Sequence, residues 1–384
     1  MTPQARVAAA IGILDEVLDG APAEQTLLRW SRTSRFAGSG DRAGVRDLVF
    51  DALRQRDSLA ARGGGLTGRG LMLGRARSRG EDADSIFTGA GHAPASLSPD
   101  ELATGAEPDA MQRMNLPDWL QPLWSRSLGD EAGPIAAAMA DRAPVWLRVN
   151  ARKADAASAL TALAEDGIEA ETDDRLPTAL KVTAGERRIS HSRAYLDGMV
   201  ELQDLSPQLA CAGLPLADGQ RVLDFCAGGG GKSLAVAARA RVVLEAHDAD
   251  PGRMADLPAR AARAGVRIDS TAKPKGFYDL VIADVPCSGS GTWRRTPDAK
   301  WRLKPDDLAR LQGVQADILD SVAPLVRPGG HLAYMTCSLL DDENAGQAAA
   351  FLTRQPGFAQ IDRRRWSPLD ASDGFFLALF QRQG

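Results

Sequence analysis

Cysteine, histidine and lysine are scarce in this chain, and each scarcity excludes something. Four cysteines (Cys211, Cys226, Cys287 and Cys337) occur in 384 residues with no CxxC pair. A disulfide framework and a zinc ribbon are therefore not expected, and reduced thiols in a cytosol are. Four histidines (His92, His191, His247 and His331) are scattered, so no metal site is expected. No run of about 18 apolar residues appears, which excludes a membrane-spanning helix as an expectation. The opening stretch "MTPQARVAAAIGILDEVLDG" has only Arg6 ahead of its apolar residues and is interrupted by Asp15, Glu16 and Asp19. It reads as an amphipathic helix, not a secretory leader, and a cytoplasmic location is expected. The formal net charge of -4 argues against a nonspecific coat on nucleic acid. Charge is unevenly spread, however: arginine carries most of it between Arg29 and Arg79, and acids dominate residues 81 to 131. A local basic face can still meet phosphates.

The length allows two or three domains, and 44% hydrophobic with 25% charged residues is ordinary for a globular protein. Residues 4–19 align Val7, Ile11, Leu14 and Leu18 on one helical face, and residues 43–60 do the same with Val45, Leu48, Val49 and Leu53. The run "RGGGLTGRG" (62–70) breaks this pattern, and residues 62–108 read as a glycine-rich linker. Within it "SPDE" (98–101) has the form of a capping box. From 145 the pattern alternates strand, helix and strand, as in a small α/β subdomain. Later strands are expected at 222–225, 242–246, 278–283, 331–335 and 375–380, with helices at 232–240, 252–264 and 306–325. That alternation predicts a mostly parallel, doubly wound sheet. The expected domains are 1–140 (helical), 141–210 (small α/β) and 211–384 (the parallel sheet).

The stretch "DFCAGGGGKS" (224–233) follows a strand and opens a helix. It is not a P-loop, because Cys226 stands where the leading glycine belongs. As a dinucleotide fingerprint it is weak, since Ser233 occupies the third glycine position. A nucleoside fits better: Asp248 ends the next strand, where an acid accepts hydrogen bonds from ribose hydroxyls. Two further stretches, "ADVPCSGSGTWRRTPDAKW" (283–301) and "MTCSLLDDEN" (335–344), each place a cysteine just past a strand. Ligands of open α/β sheets bind outside those strand ends, so Cys287, Cys337, Asp284 and the glycine loop are expected on one rim.

These segments resemble the RNA (cytosine-5) methyltransferases of the Sun/RsmB family. The likeness rests on four motifs in order: "DxCA...GGK" (224–232), "DxPCSGSG" (284–291), "RRTPDAKW" (294–301) and "TCS...EN" (336–344). The N-terminal helices more loosely resemble a NusB-like domain, and residues 141–210 an RRM-like one. The resemblance implies a Rossmann-like class I fold and S-adenosylmethionine as cofactor. Its binding residues would be Cys226, Ala227, Gly228, Gly229, Gly230, Gly231 and Lys232, with Asp248, Asp269 and Asp284. Where the family has proline before the glycine pair this chain has Gly229, a change that removes no donor.

The implied chemistry has a physical logic. Carbon 5 of cytosine is a weak nucleophile until a thiolate adds at carbon 6 and turns the ring into an enamine. The resemblance assigns that nucleophile to Cys337 and release of the enzyme to Cys287. Asp284 would hold the base edge where charge develops. RNA is the implied partner, its phosphates and bases met by Arg294, Arg295, Lys300 and Trp301, with Arg302 and Trp293 beside them. The target cytosine must be single-stranded or flipped out. 16S rRNA is the implied substrate, tRNA the alternative, and a ribosome assembly factor without catalysis a third reading. No membrane partner is expected, and a monomer is favoured.

Overall fold

In the computed structural model, which describes residues 1–384, the chain divides into two compact units. Met1–Arg142 together with Trp293–Lys304 form one, and Ala143–Thr292 together with Pro305–Gly384 form the other.

The first unit is helical. Its leading helices are α1 (Pro3–Leu18), α2 (Ala23–Thr33), α3 (Ser39–Arg54), α4 (Arg56–Gly63) and α5 (Gly68–Ser78). Thr2 caps α1 by accepting from the Ala5 N–H, and Pro3 sits in the first turn, where its missing donor costs nothing. Leu14, Val45, Val49, Leu53, Leu59, Leu71 and Leu73 fill the core.

The expected linker at 62–108 is corrected here, because α5 lies within it and buries Leu71, Met72 and Leu73. Glycine misleads at this point: locally it breaks helices, but it also lets two of them touch backbone to backbone. A Cβ on Gly63 would lie 1.8 Å from the Gly70 carbonyl oxygen, and one on Gly74 would lie 2.0 Å from that of Leu59. The capping box at Ser98 and Glu101 is present. Glu101 also pairs with Arg69, whose hydrogen bond holds the carboxyl at about 2.

The second unit contains two sheets. A four-stranded antiparallel sheet, in order β2-β3-β1-β4, joins β1 (Val145–Val149), β2 (Glu169–Asp173), β3 (Leu176–Ala184) and β4 (Val200–Leu202). A helix, Ala156–Glu165, contributes Ala159 and Leu163 to the core beside Leu147, Leu180 and Val200.

The larger sheet is Rossmann-like. Its strands are β5 (Arg221–Asp224), β6 (Val243–Ala246), β7 (Asp269–Ser270), β8 (Tyr278–Asp284), β9 (Val326–Thr336), β10 (Phe358–Trp366) and β11 (Phe375–Arg382), in order β10-β11-β9-β8-β5-β6-β7. Strands β5 to β9 pair in parallel, and β10 and β11 pair antiparallel at one edge. The register aligns Asp224 with Ile282 and Asp284 with Met335, so β5, β8 and β9 end on one rim. Near-continuous apolar runs such as Leu280–Ala283 suit strands covered on both faces. Strand β10, "FAQIDRRRW", was not expected; its polar residues fit an edge, where one side of the ladder meets water.

Candidate active site

The glycine loop runs from the end of β5 into the helix Gly231–Arg239. Buried Asp224 holds this turn, its Oδ2 accepting from the Ser233 N–H at 3.1 Å and hydroxyl at 2.6 Å. Its Oδ1 has no partner, and burial pushes the carboxyl up to about 6. Gly230 has φ of +80°, and a Cβ there would lie 2.2 Å from Leu257 Cδ1. Only glycine fits that position.

Asp248 is 4% exposed just past β6. It accepts from the Gly228 N–H at 2.9 Å and the Asp250 N–H at 3.0 Å, and Arg253 pairs with it at 3.3 Å. The carboxylate is thus fixed beside the glycine run 228–231 at adjacent strand ends. Ala227 donates its N–H to the His247 carbonyl at 2.9 Å, and Arg260 donates to the Gly229 carbonyl. Burial, reinforced by Asp224 and Asp284, pushes the Cys226 thiol up to about 12, so this cysteine lines the loop as a neutral group. Asp269 lies exposed on edge strand β7, and Arg267 pairs with it at 2.9 Å.

Lys232, at the start of the helix, donates its Nζ to Asp284 Oδ2 at the end of β8. The ammonium also lies 5.2 Å from the centre of the Phe375 ring. Burial opposes its charge, but Asp284 outweighs that cost and keeps the pKa above the usual lysine range. The glycine loop, Lys232 and Asp284 therefore form one charged rim.

Cys287 and Cys337 face each other with Sγ atoms 3.4 Å apart. The hydrogen bond with Cys337, then burial, then the Glu343 carboxylate hold the Cys287 thiol well above its ordinary value.

The residues behind the thiols were not singled out from the sequence. Glu343, Gln315, Ser290, Ser338 and Asn344 are all 0% exposed. Glu343 accepts from the Ser288 N–H at 2.8 Å, the Ser338 hydroxyl at 2.6 Å and Gln315 Nε2 at 2.9 Å. Asn344 accepts from Thr336 Oγ1 at 2.5 Å and donates to the Ser338 carbonyl at 2.9 Å. The only sequence signal for these roles was the "EN" that closes the second cysteine stretch.

In the expected RNA-facing segment after Cys287, Trp293, Arg294 and Lys300 are buried within the helical unit and Trp301 is half-buried. Trp293 stacks on Trp124 with ring centres 6.1 Å apart. The Arg294 carbonyl accepts from Arg54 Nε at 2.6 Å, and its side chain is buried. Lys300 Nζ donates to the Arg54 carbonyl at 3.0 Å, and the Trp301 indole N–H donates to the Leu53 carbonyl at 2.7 Å. Arg56 covers the Trp301 ring at 3.5 Å. Arg295 is half-buried, and Arg302 is exposed and pairs with Asp298 at 3.6 Å. Basic and aromatic composition signalled nucleic acid, but here those side chains satisfy helix carbonyls and fill a core. No group of three His, Cys, Asp or Glu residues is placed to hold a metal ion, and no helix is long and apolar enough to cross a membrane.

Comparison with known proteins adds to this geometry. The family model for 16S rRNA methyltransferase RsmB/F matches residues 212–381, and one for the RsmF/B-like ferredoxin-like domain matches residues 116–187. The ribosomal RNA small subunit methyltransferase B of Erwinia tasmaniensis is 33% identical over 302 residues, covering 72% of this chain and 70% of that protein. The Klebsiella pneumoniae protein of the same name is 33% identical over 282 residues, covering 68% of this chain and 65% of its own length. The chain thus spans just under two thirds of that relative. The crystal structure of PH0851 shares the fold, with a TM-score of 0.77 at 23% identity over 100% of this chain and 99% of its own.

Proposed function

We propose, from the premise that this chain belongs to the RsmB/F family of methyltransferases, that it methylates carbon 5 of a cytosine in 16S rRNA through a covalent Cys337 adduct. S-adenosylmethionine is the cofactor, and when bound it supplies a methyl group activated on a sulfonium. The glycine loop would hold its methionine end, Asp248 its ribose hydroxyls, and Asp284 with Lys232 the rim where base and cofactor meet.

The observation that carries the reading is the pair of thiols 3.4 Å apart at the ends of β8 and β9. A second thiol held against the nucleophile is placed to act as the base that resolves such an adduct. Cys337 adds to carbon 6 of the base, and the ring then becomes nucleophilic at carbon 5. Addition leaves negative charge on the ring, which protonation at ring nitrogen 3 neutralises, and Asp284 would hold that N–H as the adduct forms. After methyl transfer the carbon 5 proton must leave, and the sulfur–carbon 6 bond breaks to return Cys337 as thiolate.

Cys287 is suited to take that proton only once the adduct exists. Its pKa is raised first by hydrogen bonding to Cys337. Once the Cys337 sulfur is bonded to carbon that hydrogen bond is weakened, so Cys287 can release its own proton to solvent and, as thiolate, take the carbon 5 proton.

The test is a covalent trap with cofactor and 16S rRNA fragments. Cys287→Ala is expected to accumulate a protein–RNA adduct on a denaturing gel, and Cys337→Ala to form none. Equal behaviour of the two variants would overturn the assigned roles. Bisulfite sequencing of rRNA from cells with and without the gene then locates the cytosine, and a lost signal in tRNA instead would move the substrate.

A further inference from the structure

One buried carboxylate ties the two cysteine loops together. Glu343 lies beyond β9, where Cys287 and Cys337 are each followed at once by a serine. Its Oε1 accepts from the Ser288 N–H at 2.8 Å, and its Oε2 accepts from the Ser288 hydroxyl at 2.5 Å and the Ser338 hydroxyl at 2.6 Å. Gln315 Nε2 completes the set, donating to Oε1 at 2.9 Å and to the Pro286 carbonyl at 3.0 Å. The Tyr334 hydroxyl donates to the Glu343 backbone carbonyl at 2.6 Å and fixes the carboxylate's own chain.

The two loops depend on this carboxylate unequally. Cys337 continues from β9, its carbonyl accepts from the Gly291 N–H at 2.9 Å, and Asn344 bonds both Thr336 and Ser338 on either side of it. Around Cys287, Glu343 holds Ser288 directly and Pro286 through Gln315, beside a contact between the Ser288 and Ser338 hydroxyls at 3.4 Å and the Ser290 N–H donating to Ser288 Oγ at 3.3 Å.

We infer that Glu343 is a positioning residue for release of the product, holding the Cys287 thiol against Cys337 so that the carbon 5 proton is removed promptly after methyl transfer. The inference rests on the covalent mechanism proposed above. It separates two steps that share one site: attack by Cys337 needs Cys337 alone in place, whereas resolution of the adduct needs both thiols in register. A displacement of about 1 Å at a reacting group costs on the order of 100-fold in rate. Loss of Glu343 should therefore slow release far more than attack.

The experiment compares wild type, Glu343→Gln and Cys287→Ala in single turnover with S-adenosylmethionine and a 16S rRNA fragment. Methyl incorporation and covalent adduct are followed together. Glu343→Gln keeps the shape of the side chain but presents an NH2 group to a ring of donors. It is expected to form adduct at a rate within a few-fold of wild type and to resolve it about 10- to 100-fold more slowly. Both cysteines remain present, so trapped adduct in this variant is not a trivial loss of a thiol.

Adduct that resolves at the wild-type rate in Glu343→Gln would overturn the inference, as would equal slowing of attack and release. The double variant Ser288→Ala/Ser338→Ala removes the two hydroxyl bonds to Oε2 without touching the buried carboxylate. The same slow release is expected from it, including in the event that Glu343→Gln does not fold. Cys287→Ala separates the two levels of the argument. If it traps no adduct, the covalent mechanism fails; if it traps adduct and the clamp variants do not, only the role of Glu343 fails.

Discussion

Lys232 and Lys300 are two lysines largely withdrawn from water in a chain that has only seven, the first half-buried and the second buried, and they sit in regions that behave oppositely. Lys232, at the glycine loop, faces the Asp284 carboxylate and keeps its charge despite burial. Lys300, in the helical unit, donates to a carbonyl, and burial pushes it down to about 7 against the pull of Asp57. Residue type is the same, and desolvation opposes the charge in both. The neighbouring group decides whether a buried ammonium belongs to a reaction site or to a core.

The sharpest break in this comparison is Lys232→Met. It leaves Asp284 without its partner at the rim, and methyl transfer in single turnover is expected to fall about 100-fold or more. Activity within a few-fold of wild type would make Lys232 a mere neighbour of the site. Lys300→Arg tests the other side, because a guanidinium cannot shed its proton at any working pH. Burying that fixed charge against a carbonyl is expected to cost about 3 kcal/mol, read as a lowered denaturant midpoint.

The smallest effect is the pH dependence attached to Lys300. The unfolded chain keeps this proton up to about the ordinary lysine value of 10.5, whereas the folded chain releases it near 7. Between these values the unfolded state binds more protons, so stability rises with pH in that window and the gain is absent below it. Unfolding midpoints at pH 7 and 8 should differ by about 1 kcal/mol from this group, and Lys300→Met should remove that difference.

The sequence made one half of the site legible and hid the other for a physical reason. Asp284, Cys287 and Cys337 flank strands, and strand ends of a parallel sheet converge on one rim, so local pattern was enough to group them. Glu343 works through Ser288, Gln315 and Ser338, which only the fold brings together. The segment "TWRRTPDAKW" misled because arginine, lysine and tryptophan serve phosphate contacts and carbonyl-satisfying cores equally well. Residues 62–70 misled in the same way: glycine breaks an isolated helix but permits the backbone contact between α4 and α5. The parallel strands were readable from their apolar runs, whereas β10, with its three consecutive arginines, carries an edge strand's polarity.

The assignment of Trp293–Lys304 to the helical unit also orders the birth of the protein. Asp298 accepts from the Ala23 N–H at the start of α2, and Lys300 and Trp301 satisfy carbonyls at the end of α3. These partners leave the ribosome roughly 160 residues after Arg142, a delay of about 10 to 30 s at usual synthesis speeds. During that interval the helices have every residue of their own and still lack their finishing contacts. The helices up to Arg142 wait on residues 293–304, so a nascent chain stalled before Lys304 would present an unfinished helical unit to chaperones and proteases.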